Sequence, residues 1–300
     1  MFYLSKRSRR FLHPPRLNRI NQLNSLLRNT DVAITQDEFN DLQSLLFKLT
    51  GILLSENKTG LFSGRLNTRL RALSLTSFKS YHQYLSSLSG KSEMDIFVHL
   101  MTTHETFFFR EAESFNFLKN VILEEKRNDQ SLFRLWSAGC STGEEAYSAA
   151  MVIADKFGTS ERAPWKVVGT DVSLEVLKNA ESAIYKKERL DFMPPQYLKS
   201  YCLNGIGEYQ GKMLIGKNIR SQTSFSFLNL DADNYQVGQF DVIFLRNTLI
   251  YFQPEKKLSI IKKMINALKP MGWLIVGNAE SLRGLDSRLK QHTPSIYQLI

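Results

Sequence analysis

Residues 132–146 constrain the fold of this chain more than any other part of the sequence. They read LFRLWSAGCSTGEEA: a short apolar and aromatic run predicts a buried strand, and small residues follow it from Ser137 to Gly143. Glu144 and Glu145 then begin EEAYSAAMVIADKF, in which apolar residues recur at helical spacing. Glycines in such a strand-to-helix turn let the backbone approach a ligand closely. The segment therefore predicts a ligand-binding turn; the alternative is a tight turn that binds nothing.

The spacing of this turn excludes the two common phosphate-binding motifs. A dinucleotide site has G-x-G-x-x-G and a P-loop has Gly-Lys-Ser/Thr, whereas three residues separate Gly139 from Gly143 and no lysine follows. Two carboxylates lie at the helix N-terminus, where phosphates would bind, and their negative charges would repel a phosphate. We therefore predict a cationic ligand with the bulk of adenosine, and S-adenosylmethionine has both properties. Asp171 ends the next predicted strand, WKVVGTDV, where it could accept the ribose hydroxyls.

The charge of the chain is concentrated at its beginning. The net charge is +10 over 300 residues, but residues 1–30 contain seven basic residues and no acidic one. We expect this basic leader to be a solvated, mostly disordered tail; the alternatives are an arm for RNA, a membrane surface or an acidic partner, and a transit peptide. Two cysteines, Cys140 and Cys202, form neither a disulfide framework nor a metal-ligand cluster, and no apolar run is long enough for a membrane span.

Residues 31–105 are predicted to form a helical domain in front of the α/β part. Thr35 and Glu38 have the spacing of a capping box, and Gly51 is predicted to end the helix that they begin. The next predicted helix carries Arg65 and Arg69, four residues apart and on a different side from its leucines. We expect these two arginines to dock an acidic helix of a partner; the alternative is an ordinary solvated face.

The segment TTHETFFFREAESFNFLK, residues 102–119, joins the two parts of the chain. Its three successive phenylalanines cannot all point one way, so we expect a buried crossing or a lid packed on both sides. His104 and Arg110 are polar members of this apolar segment. A buried arginine needs a carboxylate partner, which for Arg110 could be a ligand, or Glu111 or Glu113 in an internal ion pair. His104 could equally be a satisfied core histidine.

Strands and helices alternate in the rest of the chain, which predicts a mostly parallel sheet with helices on both faces. Glycines break the pattern over about residues 196–224 and predict a small antiparallel insertion. The helix SLEVLKNAESAIY before this insertion is predicted to reach Tyr185. Ligands bind at the carboxyl ends of parallel strands, and Asn229, Arg246 and Asn247 are predicted to lie there.

Five motifs, in order, resemble those of the chemotaxis receptor glutamate methyltransferases, the CheR family, over residues 35–300. TTHETFFFRE resembles the family's TTNxTxFFRE, and the other four are WSAGCSTGEEAYS for WSAAxSTGEEPYS, VVGTDVSLEVLKNA for ATDIDxxxLxxA, FDVIFLRNTLIYF for FDVIFCRNVxIYF, and LKPMGWLIVGNAESL for LxPGGxLxxGHSESL. Three departures are His104 for Asn, Ala146 for Pro and Asn278 for His. A protonated His104 near the sulfonium would be unfavourable.

The resemblance implies an all-α domain followed, over residues 106–300, by a Rossmann-like S-adenosylmethionine-dependent methyltransferase domain with a small β-subdomain. It implies methyl transfer to glutamates in the cytoplasmic helical domain of chemoreceptors, with S-adenosylhomocysteine as product. Arg110 would reach the cofactor's carboxylate or steer that of the substrate, and Tyr251 would line the pocket near the methyl group or lie half-buried under the sheet. By position, the implied cofactor contacts are His104, Thr106, Arg110, Glu144, Asp171, Asn229, Leu230, Arg246 and Asn247.

Two other classes of function stay open from the residues. A nucleic-acid methyltransferase would use the basic leader as its arm, although the rest of the chain lacks a basic groove interleaved with aromatic residues. A scaffold or regulator would bind the cofactor without turnover. We expect a cytoplasmic monomer that binds neither nucleic acid nor metal and does not insert into a membrane.

Overall fold

The computed structural model describes residues 31–54, 58–129, 131–160 and 162–300, so the predicted basic leader lies outside the described residues. Within these ranges, no helix is long and apolar enough to cross a membrane. In the same ranges, no group of three or more His, Cys, Asp or Glu side chains is arranged to hold a metal ion.

In the described part of the amino-terminal domain, four α-helices share an apolar core, as predicted: α1 (Gln36–Thr50), α2 (Thr59–Ala72), α3 (Phe78–Leu85) and α4 (Lys91–Met101). The predicted capping box is present at the start of α1. The amide of Glu38 donates to Thr35 Oγ1 at 3.3 Å, and the amide of Thr35 donates to Glu38 Oε2 at 3.0 Å. Gly51 ends α1 with φ +73°, a conformation that favours glycine.

A seven-stranded sheet forms the centre of the second domain, in the order β6-β2-β1-β7-β8-β10-β9. All pairs from β6 to β8 are parallel, and β10 pairs antiparallel with both β8 and β9. The mostly parallel sheet is therefore confirmed, although β9 was not predicted. The strands are β1 (Phe133–Ala138), β2 (Trp165–Asp171), β6 (Thr223–Phe227), β7 (Phe240–Leu245), β8 (Leu268–Val276), β9 (Leu289–Thr293) and β10 (Ile296–Leu299).

Helices cover both faces of this sheet. Leu135 packs in one buried cluster with α6, and its neighbour Trp136 packs in a second buried cluster with α10, because successive strand residues point to opposite faces. The helices of this domain are α5 (Ala112–Phe117, continued by a π-helix over Leu118–Ile122 and a last turn over Leu123–Glu125), α6 (Glu144–Phe157), α7 (Leu174–Ser182), α8 (Pro195–Tyr201), α9 (Lys217–Arg220) and α10 (Pro254–Asn266).

A small antiparallel sheet is inserted between α7 and β6, in the order β3-β5-β4. Its existence was predicted, but the predicted start at about residue 196 was wrong, because its first strand begins at Ile184; the predicted end at about residue 224 lies close to the start of β6 at Thr223. Helix α7 ends before Ala183, which has φ +55°, so Tyr185 belongs to a strand and not to the helix. No glycine or proline marks this turn in the sequence. The strands are β3 (Ile184–Lys186), β4 (Cys202–Asn204) and β5 (Lys212–Ile215), whereas residues 223–227 belong to the main sheet.

Candidate functional site

The turn after β1 brings its backbone against the neighbouring strands. The amides of Gly139 and Cys140 both donate to the carbonyl of Thr170, at 2.8 and 2.9 Å. Gly139 has φ +75°, and a Cβ atom there would lie 2.7 Å from Thr248 Oγ1. At Gly143, with φ +93°, a Cβ atom would lie 2.8 Å from Ala180 Cβ. Both glycines are therefore required by their conformation and by the close approach of other elements.

Asp171 lies at the carboxyl end of β2 and holds the two neighbouring turns. Its Oδ2 accepts the amide of Ser141 at 2.9 Å, and its Oδ1 accepts the amide of Ser173 at 3.0 Å. Burial raises the pKa of this carboxyl group, while the backbone donors oppose the rise. A carboxylate has about four acceptor positions, so Asp171 can still accept hydroxyl groups of a ligand.

A cavity opens at the carboxyl ends of the parallel strands, between the two domains. Its volume is about 1230 Å³, which includes open solvent at the mouth of the cavity. The helical domain contributes one wall, through Thr50, Ile52, Leu54 and Met101. The second domain contributes the turn after β1, the ends of β2 and β7, and the segment that follows β6. The site is thus completed only when the two domains are packed together.

Eight of the nine predicted cofactor-binding residues line this cavity, and Tyr251 does so as well. The exception is Glu144, whose side chain is fully buried beside the cavity and accepts Thr142 Oγ1 at 2.6 Å and Arg189 Nη1 at 3.3 Å. Glu145 lines the cavity in its place. Successive residues of a helix point about 100° apart, so only one of two adjacent carboxylates can face the ligand. The predicted Glu144 therefore does not line the cavity, and its contact with the cofactor stays a prediction.

Arg246 is the centre of a buried ion-pair cluster on the cavity wall. Its Nη1 donates to Glu145 Oε2 at 2.9 Å, and its Nη2 lies 3.2 Å from Glu111 Oε2. Nη2 also donates to the carbonyl of Arg110. Burial raises the pKa of Glu145, and the charge of Arg246 opposes this rise. Arg246 therefore has two carboxylate partners. Its hydrogen bond to the carbonyl of Arg110 also fixes the backbone at that residue.

Arg110 keeps its charge available to the cavity. Glu111 pairs with Arg246, so the internal ion pair considered for Arg110 is not formed with that residue. Arg110 Nη1 donates to the carbonyl of Glu105 at 3.0 Å, and its guanidinium carbon lies 5.9 Å from the centre of the Phe107 ring. Across the described ranges, no carboxylate forms a salt bridge with it.

His104 lies where the two domains meet. Its ring stacks on that of His99, with ring centres 4.6 Å apart. Nε2 lies 2.8 Å from the carbonyl oxygen of His99, so Nε2 carries the proton. Burial lowers the pKa of both imidazoles. Asn229 forms a second contact between the domains, because its Nδ2 donates to the carbonyl of Leu49 at 2.9 Å.

Comparison with known families gives the same division of the chain. The family described as "CheR methyltransferase, all-alpha domain" matches residues 37–102, and the family described as "CheR methyltransferase, SAM binding domain" matches residues 104–297. The chain belongs to the CheR methyltransferase family. It is therefore an S-adenosylmethionine-dependent methyltransferase, as the sequence motifs implied.

Curated CheR relatives are similar along nearly their whole length. The "Chemotaxis protein methyltransferase" of Escherichia coli (strain K12) is 36% identical over 280 residues, which cover 93% of this chain and 96% of that protein. The "Chemotaxis protein methyltransferase 2" of Pseudomonas aeruginosa is 35% identical, covering 84% and 89%. The protein of Borreliella burgdorferi is 33% identical, covering 90% and 96%.

The residues of the cavity fit the cofactor of CheR methyltransferases. Asp171 can accept ribose hydroxyls, and Val172, Leu228 and Leu230 offer apolar surface to an adenine ring. The buried carboxylate of Glu145 favours a cationic sulfonium. The donor and acceptor set therefore matches S-adenosylmethionine.

The two arginines predicted to dock a partner of this CheR chain are bound within the helical domain. Arg65 Nη1 donates to the carbonyls of Leu100 and Thr102, at 2.8 and 3.2 Å. Arg69 forms a bidentate pair with the buried Glu93, in which both distances are 2.7 Å. A receptor helix would have to compete with these contacts, so docking by the two arginines stays a prediction.

Several cavity residues of this CheR chain were missed by the sequence analysis. Glu105, Cys140 and Thr248 lie within motifs that were examined, but no local pattern shows that their side chains face the ligand. Thr50 and Ile52 flank the glycine that ends α1, and they reach the cavity only because the domains pack together. Such residues could have been predicted only from knowledge of which distant segments of the chain contact each other.

Proposed function

We propose that this chain transfers the methyl group of S-adenosylmethionine to glutamate side chains of chemoreceptors. The products would be the glutamate γ-methyl ester and S-adenosylhomocysteine. The names of the curated relatives support a role in chemotaxis. The single observation that carries the choice of a carboxylate acceptor is Arg110, whose guanidinium borders the cavity without a carboxylate partner in the described ranges.

The reaction needs no general base from the protein. A glutamate side chain has an ordinary pKa of about 4.3, so it is already ionised at neutral pH. The bound cofactor supplies an electrophilic methyl group. The task of the protein is to align a carboxylate oxygen with this methyl group and to exclude water, and such positioning can lower the barrier by roughly 7–11 kcal/mol.

The cavity also limits which of its own groups could react. Cys140 lines the cavity, but burial raises the pKa of its thiol well above the ordinary value. The thiol therefore stays protonated at neutral pH, and it is a poor nucleophile in that form. The protein can in this way hold a reactive methyl donor without methylating itself.

Three residues have distinct parts in the proposed reaction. Arg110 attracts the acceptor carboxylate to the mouth of the cavity. Arg246 holds the backbone carbonyl of Arg110, so it acts on the acceptor through that residue. Tyr251 lines the cavity, where it would contact the approaching side chain.

The direct test is incubation of the purified protein with methyl-labelled cofactor and receptor cytoplasmic fragments. We expect label in the fragments that alkali releases as volatile methanol, because carboxyl methyl esters are alkali-labile. Removal of residues 1–30 should leave this activity in place. Label that resists alkali, or activity that requires nucleic acid, would contradict the proposal.

Variants of Arg110 test the choice of acceptor. We expect R110Q to lower kcat/KM for receptor fragments by about 10- to 100-fold, the equivalent of one or two charge-assisted hydrogen bonds. R110K keeps the charge and should retain an intermediate rate. Affinity for S-adenosylhomocysteine, measured by calorimetry, is the control. If R110Q weakens this affinity as much as it lowers kcat/KM, the arginine serves the cofactor carboxylate and not the acceptor.

A further inference from the structure

Glu280 follows β8 and lies outside the cavity, yet its buried carboxylate organises the cavity wall. Four backbone amides donate to it. Oε2 accepts the amides of Asn247 and Gly277, both at 2.8 Å. Oε1 accepts the amides of Thr248 and Ile250, at 2.9 and 3.3 Å. Three of these four donors belong to the segment after β7.

That segment supplies much of the cavity wall. Its cavity-lining residues are Arg246, Asn247, Thr248, Ile250, Tyr251 and Phe252. Asn247 has φ +54°, a left-handed conformation that is uncommon outside glycine, although asparagine adopts it more readily than most residues. Glu280 supports its backbone, while Glu111 Oε1 accepts its side-chain Nδ2 at 3.2 Å. Two carboxylates thus hold Asn247 from different sides.

Gly277 shows how closely these groups are packed. A Cβ atom at this position would lie 2.8 Å from the amide nitrogen of Asn247 and 2.9 Å from Glu280 Oε2. Only a residue without a side chain lets the end of β8 approach the segment after β7 at this distance. The close approach of the backbone at Gly277 to the backbone at Asn247 therefore fixes the place in which the Glu280 carboxylate meets its four amide donors.

We propose that Glu280 is a positioning residue for the cofactor site. It touches neither cofactor nor acceptor; it holds the backbone of residues 247–250 in the conformation that presents Asn247 and its neighbours to the cofactor. The proposal concerns cofactor binding alone, so its test does not depend on whether the methyl acceptor is a glutamate. Without the carboxylate, one buried and three partly buried N–H groups would lack their acceptor, and the segment would relax to other conformations.

The test is the isosteric variant E280Q, studied in the complete chain. An amide offers one oxygen acceptor, and its NH₂ group would face two backbone N–H donors whichever way it turns. We expect the Kd for S-adenosylhomocysteine, measured by calorimetry, to rise by about 10- to 100-fold, since small displacements of positioning groups have effects of this size. Without ligand, the amides of residues 247, 248 and 250 should exchange hydrogen for deuterium faster than in the parent.

The matched control is D241N, near the amino end of β7, whereas the segment held by Glu280 follows the carboxyl end of that strand. Asp241 is also a buried carboxylate; it accepts the amide of Arg134 at 2.9 Å and Lys269 Nζ at 2.6 Å, near the amino end of β7. It does not line the cavity. We expect D241N to lower the melting temperature as E280Q does but to keep the Kd within about twofold of the parent.

Two results would overturn the proposal. One is an E280Q protein whose Kd stays within about twofold of the parent. The other is a D241N protein that loses as much affinity as E280Q at a similar melting temperature, because general destabilisation would then account for both. If E280Q does not fold, E280D replaces it: the shorter side chain keeps its charge but withdraws both oxygens from the amides. Weaker binding by E280D supports the positioning role, and parent affinity refutes it.

Discussion

Replacing Arg246 by methionine tests whether the ion-pair cluster beside the cavity stabilises the fold. The arginine side chain is 1% exposed and contacts Glu145 and Glu111 at 2.9 and 3.2 Å. Methionine keeps an apolar stem but removes the charge, so Glu145 remains buried without its counter-ion. Removing one partner of a buried ion pair costs about 3–5 kcal/mol. We expect R246M to lose free energy of unfolding in this range at neutral pH.

The loss should depend on pH in a defined direction. Burial raises the pKa of Glu145, and Arg246 is the main group that opposes the rise. In R246M the folded-state pKa of Glu145 should therefore be higher still. A carboxyl group with a raised folded-state pKa stabilises the fold below its unfolded pKa of about 4.3, and this stabilisation is lost as pH rises through the folded-state value. The deficit of R246M relative to the parent should be smaller at acidic pH than at neutral pH.

Urea unfolding of four proteins measures the effect: the parent, R246M, E145Q and R246M/E145Q. E145Q removes the charge that R246M leaves unpaired, so the double variant should lose less than the sum of the two single losses. We expect a difference of about 1–3 kcal/mol, the range for directly interacting residues. Additive losses, or an R246M deficit that does not change with pH, would refute the assignment of a coupled buried pair.

Two further predictions concern the cofactor and the contact between the domains. In D171N, an NH₂ group would replace one of the two oxygens that accept the amides of Ser141 and Ser173. We expect the Kd for S-adenosylhomocysteine, measured by calorimetry, to rise by about 10- to 100-fold. An unchanged Kd would contradict the role of Asp171 in binding the ribose. Burial lowers the pKa of His104 in the folded protein. Below the unfolded-state pKa of about 6.5, the imidazole therefore binds a proton more readily in the unfolded chain than in the folded one, so the free energy of unfolding decreases as pH falls. The melting temperature of H104N should therefore decrease less between neutral and acidic pH than that of the parent, and equal decreases would show that this imidazole does not control the change.

Local patterns predicted much of the fold. The capping box at Thr35, the end of α1 at Gly51 and the strand-turn-helix at Gly139 each depend on neighbours within a few residues, and the structure confirms all three. The sheet covered by helices on both faces follows from the alternation of strands and helices along the chain. The boundary of the β-subdomain was wrong because the left-handed turn at Ala183 has no marker in the sequence.

The sequence by itself determined the family of this protein, the order of its elements and the acidic character of its ligand-binding turn, since those properties reside in residues close along the chain. Only the tertiary structure decided which of two adjacent glutamates faces the cavity, which carboxylates neutralise Arg246 and what holds the segment after β7. The physical reason is that these choices depend on side-chain direction and on hydrogen bonds between distant segments. Glu280 and Asn247 are 33 residues apart in sequence, and folding brings them within 2.8 Å.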